Sequence, residues 1–544
     1  MSYLLPLQQF SQRVKLNPDQ PYLHQPVDSL WTTYSFKDVD TMARKIASGL
    51  LDQGYQKGDR IAILAKNCAE WVVADLAIMM AGMISIPIYT TANVDTIKYA
   101  ISHSGATAIF MGKLDDTRAA EEACRDLKKI AFPYPTVESE FNWNHWLENY
   151  APLIKIDNPA SDNTLTIVYT SGSTGDPKGV VLAHGHLAVG VKGVDDFYSA
   201  PHNRVLSYLP MAHIAERALV IMGSIYYSVE IFFNESLNTF AQDLHHAQVT
   251  IFLAVPRIWT KLQFQVLATL KDAELQPLLV SNQGAMIAAQ IREKLGFKHC
   301  KRFASGAAPI APSLLEWYGR IGIDISEGYG MTETGGLVCS NTPFSKERLG
   351  GIGIPVKGLE VKLSDQGEIL VRGASVFNEY YKNPKATQET FDQGWLKTGD
   401  RGIVDENEGW RITGRLKEQF KTAKGKYVAP VPIELLVSEN TSIEQVCVTG
   451  SGMPQPVALV VLNVENGHKN QEVVDSLNCS LDKLNGELES HERLAALFVV
   501  DTPWTIENEL LTPTMKLKRH NIERRYREVL MATNPNGVVW ETDI

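Results

Sequence analysis

The sequence predicts an α/β protein: a large N-terminal domain of two doubly wound α/β layers plus a small β subdomain, followed by a smaller α+β C-terminal domain. Three observations carry this. Strand and helix patterns alternate from Asp59 to Met111, they alternate again from Val205 to Glu327, and after Gly350 the texture changes to short β segments. A length of 544 residues with 44% hydrophobic content and ordinary Gly (39) and Pro (26) supports several packed cores.

In chain order, Met1 to Gln20 has neither a basic start leading into an apolar stretch nor a small-residue cleavage site, so no secretory signal is expected. Arg60–Leu64 reads as a strand, Asn67–Gly82 as a helix, Ile84–Ile88 as a strand, Asn93–Ser104 as a helix and Thr107–Met111 as a strand, a βαβαβ unit. The most apolar run, Leu76 to Tyr89, holds Gly82 and Pro87 and falls short of the roughly 20 residues that span a bilayer. It reads as a buried helix running into a strand. Further strands are expected around Val205–Tyr208, Val229–Phe233, Thr250–Leu253, Arg302–Ser305 and Asp324–Glu327. Leu359–Leu363 and Glu368–Arg372 form a hairpin across Asp365, Gln366 and Gly367. The domain boundary is set at Gly414, giving residues 1–414 and 415–544, because a basic run (Arg415, Lys417, Lys421, Lys424, Lys426) leads there into a new pattern that ends near Leu530. The tail from Asn534 to Ile544 lacks periodicity and is expected to fray.

Charge and cysteine usage narrow the function. With 52 basic and 62 acidic residues the net charge is −10, which argues against nucleic acid as a partner. The six cysteines are scattered, with no Cys-x-x-Cys pair, so a reducing, cytoplasmic setting is expected, with peripheral contact at the inner membrane face left open. His184, His186, His245 and His246 read as polar surface residues.

The segment Thr166 to Val180 (TIVYTSGSTGDPKGV) is the most informative. A β-branched strand breaks into a loop where Gly172, Gly175 and Gly179 let backbone N–H groups converge on an anion. Thr170, Ser171, Ser173 and Thr174 add hydroxyl donors, and Lys178 adds a cation. A plain surface turn is the alternative on composition. The Walker A spacing and the G-x-S-x-G elbow are both missing around it, which disfavours a P-loop NTPase and a serine hydrolase. Gly328-x-Gly330 lacks the third glycine of a dinucleotide fingerprint.

Tyr169 to Gly179 closely resembles the phosphate loop of the adenylate-forming, AMP-binding superfamily, and further landmarks follow in that superfamily's order. Gly306, Ala307, Ala308 and Pro309 resemble the adenine-contacting turn, and Glu327, Gly328, Tyr329, Gly330, Thr332 and Glu333 the signature that holds AMP. Asp400 resembles the ribose-binding strand end, Gly414 to Glu418 the hinge region, with Lys417 at the hinge position and Arg415 implied to reach the ribose or phosphate, and Leu511 to Arg519 the C-terminal catalytic-lysine segment. The resemblance implies that the C-terminal domain is mobile about Lys417. It implies ATP, Mg²⁺ and CoA as cofactor and co-substrates, Glu333 as the metal ligand, Thr332 as an α-phosphate donor and Lys516 as the cation that screens two approaching anions. Read alone, Lys516 with Lys518 and Arg519 would be a solvated basic face.

Leu209 to Arg217 resembles the border of the acyl pocket, which implies that His213 lies near the acyl group; a structural histidine is the alternative. Ala254 to Trp259, Phe420 to Pro430 and Ile506 to Thr514 resemble long-chain fatty acid–CoA ligases more than acetate or aryl-acid members. The sequence departs from the family pattern at Asp176 and at Ala215, where long-chain members often carry an aromatic. The expected activity is conversion of a medium- to long-chain fatty acid to acyl-AMP and then acyl-CoA. The alternatives are a fatty acyl-AMP ligase that loads a carrier protein, or a nonenzymatic nucleotide-binding protein with this fold.

Overall fold

The computed structural model describes residues 3–135, 137, 139, 141–170, 177–199, 202–463, 469–512 and 515–544. Its first layer is a seven-stranded sheet. In spatial order the strands are Phe141–Asn142, Lys128–Ala131, Ala108–Gly112, Arg60–Ala65, Ile84–Pro87, Thr164–Thr170 and Lys178–Ala183, with only the last antiparallel. The central strands are buried almost end to end, as parallel strands covered on both faces must be. Helix Ala69–Met80 is buried at every residue and leads through Gly82 to strand Ile84–Pro87, so Leu76 to Tyr89 is the buried helix and strand its composition predicts. No helix of the described residues is long and apolar enough to cross a membrane. Helix Val94–Ser104 shows the local logic of these elements: the Asn93 side chain accepts from the Thr96 N–H at its start, and Gly105 ends it at φ 69°.

The second alternation is divided between two sheets. Strands Arg204–Ser207 and Glu230–Phe233 run parallel and continue onto an N-terminal hairpin, Pro21–Val27 with Leu30–Ser35, that sequence reasoning did not identify. Two prolines and the polar His24 and Gln25 disguise its inner strand. Strands Ile251–Ala254, Arg302–Gly306 and Ile325–Met331 run parallel, then Gly336–Ser340 and Ile354–Pro355 return antiparallel. The two sheets meet where the Thr250 N–H donates to the Arg204 carbonyl at 3.0 Å. The expected hairpin follows: Leu359–Leu363 pairs with Glu368–Gly373, and Trp395–Val404 and Trp410–Arg415 extend it into the small β subdomain.

Beyond Phe420 the hydrophobic clusters draw only on C-terminal residues. A four-stranded sheet, in the order Ile443–Thr449, Val457–Leu462, Ala496–Val499 and Gly537–Trp540, packs against helices Pro430–Val437, Gln471–Glu487 and Arg519–Thr533. The tail therefore does not fray as a unit: Gly537–Trp540 pairs in parallel with Ala496–Val499 and Trp540 is buried. A four-residue strand is too short to show periodicity, and its partner lies about 40 residues upstream. His184 and His186 are also corrected. Both are buried, His186 Nδ1 accepts from the Ala183 N–H at 3.1 Å, and burial lowers the His184 pKa to about 4.

Candidate active site

Doubly wound sheets place ligands outside the carboxyl ends of their strands, and here strands Thr164–Thr170, Arg302–Gly306 and Ile325–Met331 all end in one cleft of about 2390 Å³. Thr170, Lys178, Gly306 to Pro309, Glu327 to Gly330, Thr332, Glu333, His213, Asp400, Arg415, Lys417 and Lys516 all line it. Ser171, Gly172, Ser173, Thr174 and Gly175 lie outside the described residues, as does Asp176.

The strand ends are glycine-rich for a steric reason. A Cβ on Gly306 would sit 2.9 Å from the Gly328 carbonyl oxygen, and one on Gly330 would sit 2.1 Å from that of Gly336. Only bare backbone lets these strands approach so closely. Between them Ala307 holds φ 69°, a left-handed conformation that costs a residue with a Cβ and that clusters at functional sites.

Where strands Thr164–Thr170 and Lys178–Ala183 meet, Thr170 pairs with Lys178, and the second strand pairs outward, the Tyr381 N–H donating to the Gly179 carbonyl at 2.7 Å. That pairing delivers Tyr380, whose ring lies 4.9 Å from the Lys178 ammonium and whose hydroxyl donates to Glu333 Oε1 at 2.8 Å. Tyr380 was missed by sequence reasoning because both of its partners are remote in the chain. Glu333 and Thr332 sit in a short turn, Thr332–Thr334, closed by Gly335 at φ 65°, and the Phe377 N–H fixes the Glu333 carbonyl at 2.8 Å. Glu327 is spent differently: its carboxylate accepts from the Gly350 N–H at 2.8 Å, and burial pushes its pKa up to about 8.

Asp400 and Arg415 are direct cross-strand partners, with Asp400 Oδ1 3.0 Å from Arg415 Nε. The other carboxylate oxygen accepts from the Tyr329 hydroxyl at 2.5 Å. Burial raises the Asp400 pKa, while Arg415, Tyr329 and Lys516 oppose the rise. Lys417 follows in an exposed turn, where the Leu416 N–H donates to the Gly399 carbonyl at 2.9 Å and the Glu418 N–H to the Arg415 carbonyl at 3.2 Å.

Lys516 enters the cleft from the C-terminal side on a tight hairpin, where the Thr512 N–H donates to its carbonyl at 2.7 Å and its own N–H to Thr512 Oγ1 at 3.0 Å. Desolvation and the Arg415 charge lower its pKa; Asp400, Glu333 and Glu418 act in the other direction. Arg519 does not belong to a solvated face. It forms a two-armed ion pair with Glu434 at 2.6 and 2.9 Å and approaches Glu418 at 3.5 Å. His213 Nδ1 accepts from the Ala215 N–H at 3.2 Å, which leaves the ring proton on Nε2. Burial and the nearby Lys516 charge lower its pKa to about 3, so it is neutral at physiological pH.

Behind His213 the chain forms a π-helical stretch, Glu216–Met222, a geometry common at functional sites. Glu216 turns away from the cleft to Ser207 and Asn67, and Arg217 is fully buried against Asp75, both bonds 2.9 Å. Asp75 stands in the middle of a wholly buried helix whose one other charged residue is Glu70 in its first turn, a signal that could have revealed a buried cationic partner. The same cleft is also lined by the apolar Val194, Phe197, Ile214, Ala215, Leu219 and Val356, and by Asp196 and Lys357, which pair at 3.4 Å.

Residues 10–381 match the family described as AMP-binding enzyme, and residues 417–533 match the AMP-binding enzyme C-terminal domain. The chain is 29% identical to long-chain-fatty-acid–CoA ligase FadD15 of Mycobacterium bovis, over 94% of each chain. It is 30% identical to the peroxisomal long chain acyl-CoA synthetase 7 of Arabidopsis thaliana, over 92% of this chain and 81% of that one. Among solved structures it resembles the anthranilate CoA ligase AuaEII in complex with anthranoyl-AMP, with a TM-score of 0.81 at 18% identity, covering 97% of this chain and 98% of that one.

Proposed function

Because this chain belongs to the AMP-binding enzyme family, we propose that it is an ATP-dependent fatty acid–CoA ligase that works through acyl-AMP. The observation that carries the reading is one cleft lined both by Lys516, His213, Glu333 and Asp400, with Lys516 near enough to interact with the other three, and by a set of apolar side chains. Its curated relatives act on long-chain fatty acids, and an apolar lining suits such a chain, since each buried CH₂ contributes about 0.8 kcal/mol.

In the first half-reaction a carboxylate oxygen of the acid attacks the α-phosphorus of ATP, and the bond to the β-phosphate oxygen breaks to release pyrophosphate. Two anions must approach, and Lys516 screens both. Neutral His213 offers its Nε2–H to the carboxylate without adding a competing charge. Thr332 donates to the α-phosphate, and Thr170 and Lys178 face the outer phosphates. Asp400, held by Tyr329 and Arg415, accepts from the ribose hydroxyls, and Gly306 to Pro309 border the adenine. In the second half-reaction the CoA thiolate attacks the acyl carbon and AMP leaves. We take residues 1–414 and 415–544 as the two bodies that rearrange between these steps, about Lys417.

The residues fit a magnesium ion held through one carboxylate and phosphate oxygens: Glu333 is largely buried, lines the cleft and gives one oxygen to Tyr380. Glu333 would hold it, and the ion when bound offsets phosphate charge. Exchange of Glu333→Gln is expected to weaken the magnesium dependence of adenylation; an unchanged metal titration removes Glu333 from the site.

The test is mass spectrometry of products from the purified protein given ATP, Mg²⁺ and a mixture of C2 to C18 acids, with and without CoA. Acyl-CoA, AMP and pyrophosphate are expected, with medium to long chains preferred. Acyl-AMP that persists with CoA present overturns the CoA step in favour of carrier delivery, and no AMP with any acid overturns the reading.

A further inference from the structure

Lys516 belongs to the C-terminal domain, so its place in the cleft depends on how that domain docks. The hairpin carrying it is anchored inward by the Leu511–Leu517 bridge and by the Arg519–Glu434 pair, both within the C-terminal domain. Neither contact fixes it against the large domain. Packing does little more. Met515 and Lys516 line both the main cleft and a second cavity of about 780 Å³, so the segment is a partition with open space on each side.

A long hydrogen bond, from Asn93 Nδ2 to Glu509 Oε1 at 3.5 Å, and one ion pair span the gap. Arg257, in the first turn of helix Pro256–Thr269 of the large domain, places Nη2 2.7 Å and Nε 3.1 Å from Oε1 of Glu444, in strand Ile443–Thr449 of the C-terminal sheet. Among the described residues it is the one ion pair that joins the large domain to the segment beyond Lys417. The side chains are 21% and 15% exposed, sheltered enough for the charges to matter. Arg257 Nη1 also lies 4.0 Å from Met515 Sδ, the residue before Lys516. A helix N-terminus disfavours a cation, so the position of Arg257 makes electrostatic sense through its acidic partner.

We propose that the Arg257–Glu444 ion pair is a positioning device for Lys516: it docks the C-terminal domain in the arrangement that makes acyl-AMP, and it must open before the arrangement that makes the thioester can form. The proposal rests on the ligase reading above. It separates the two half-reactions in a way that a purely stabilising pair would not, because only the first needs Lys516 in this place.

The experiment measures the half-reactions independently, pyrophosphate release from ATP and palmitate, and thioester formation from supplied palmitoyl-AMP and CoA. Arg257→Ala and Glu444→Gln are each expected to slow the first at least about tenfold while leaving the second unchanged or faster. Arg257→Lys keeps the charge but not the fork and is expected to fall between. The double exchange Arg257→Glu with Glu444→Arg is expected to recover adenylation. Equal loss of both half-reactions, no loss in either, or a double reversal no better than the single variants overturns the proposal. Wild-type protein that forms no acyl-AMP overturns instead the ligase reading on which it stands.

Discussion

At the scale of single residues, the cleft is organised by charges that act on one another across it. Lys516 is the clearest case. Replacing it by Ala removes a preorganised cation, and loss of such a group is worth about 10²–10³ in rate. Acyl-AMP formation is therefore expected to fall by that factor, while preformed acyl-AMP still goes to thioester at near the wild-type rate; equal loss of both would end its assigned role. Glu216 yields a stability prediction. Burial pushes its carboxyl up to about 8 from the usual 4.5, so between those values the folded chain keeps a proton that the unfolded chain releases. This contribution to stability is full below the unfolded value and is lost as pH rises toward 8. At about 1.4 kcal/mol per unit the loss reaches a few kcal/mol. Glu216→Gln should therefore gain on wild type in melting temperature between pH 5 and pH 8, and a constant offset across that range would show that Glu216 does not carry the proton. Of these residues, the sequence makes Lys516, Asp400 and Glu333 readable through their motifs. It hides Tyr380 and Glu216, because what makes them matter is a partner brought in from elsewhere: Glu333 lies 47 residues from Tyr380.

At the scale of elements, legibility follows locality. The βαβαβ run from Arg60 to Gly112 and the hairpin at Leu359–Gly373 are where hydrophobic period and turn chemistry place them. The hairpin Pro21–Ser35 is masked by its prolines and polar inner residues, and the strand Gly537–Trp540 is not legible because it is defined by pairing with a distant strand rather than by its own pattern. The π-helical stretch Glu216–Met222 is hidden for a related reason: its widened hydrogen-bonding arises among buried side chains and carries no propensity signature. That stretch bears on specificity. Ala215, just before it, is one of the apolar residues lining the cleft and has a minimal side chain, at the position where the sequence departs from the aromatic frequent in long-chain relatives. Ala215→Trp should fill the space proposed for the acyl chain. If each methylene excluded costs about 0.8 kcal/mol, or roughly fourfold, kcat/KM for a C16 acid should fall on the order of 10²-fold while acids of C8 or shorter change little. Uniform effects across chain length would place the acyl chain elsewhere.

At the scale of the whole molecule, the chain has two bodies and one cleft that both must complete. The order of motifs along the sequence is enough to expect this, and the hydrophobic cores divide accordingly between Trp410 and Phe420. What the sequence cannot display is docking: Arg257 and Glu444 are 187 residues apart, and nothing local in either segment announces the other. On the proposed mechanism docking also sets up a conflict, since the arrangement that inserts Lys516 for adenylation would occupy the cleft that a thiol must reach. On the proposed two-step reading the chain between the bodies has to turn, and we place that turn at Lys417. It is exposed, it follows the last strand of the β subdomain, and the described hydrogen bonds engage the N–H groups of Leu416 and Glu418 but not its own. Proline there fixes φ near −65° and removes no described donor, but it disfavours the helical φ/ψ of Leu416 and so strains the turn that the Glu418 N–H closes on the Arg415 carbonyl. Lys417→Pro is still expected to fold, since this turn is exposed and lies outside the hydrophobic cores, and to release pyrophosphate from ATP and fatty acid within about threefold of wild type, because the docked state is already formed. Conversion of supplied acyl-AMP to acyl-CoA should fall by ten- to a hundredfold or so, the penalty of a blocked closure step. Measuring both rates on one preparation decides the matter. If the thioester step is unimpaired the bodies rotate about another point, and if adenylation falls with it the docked arrangement itself depends on freedom at Lys417.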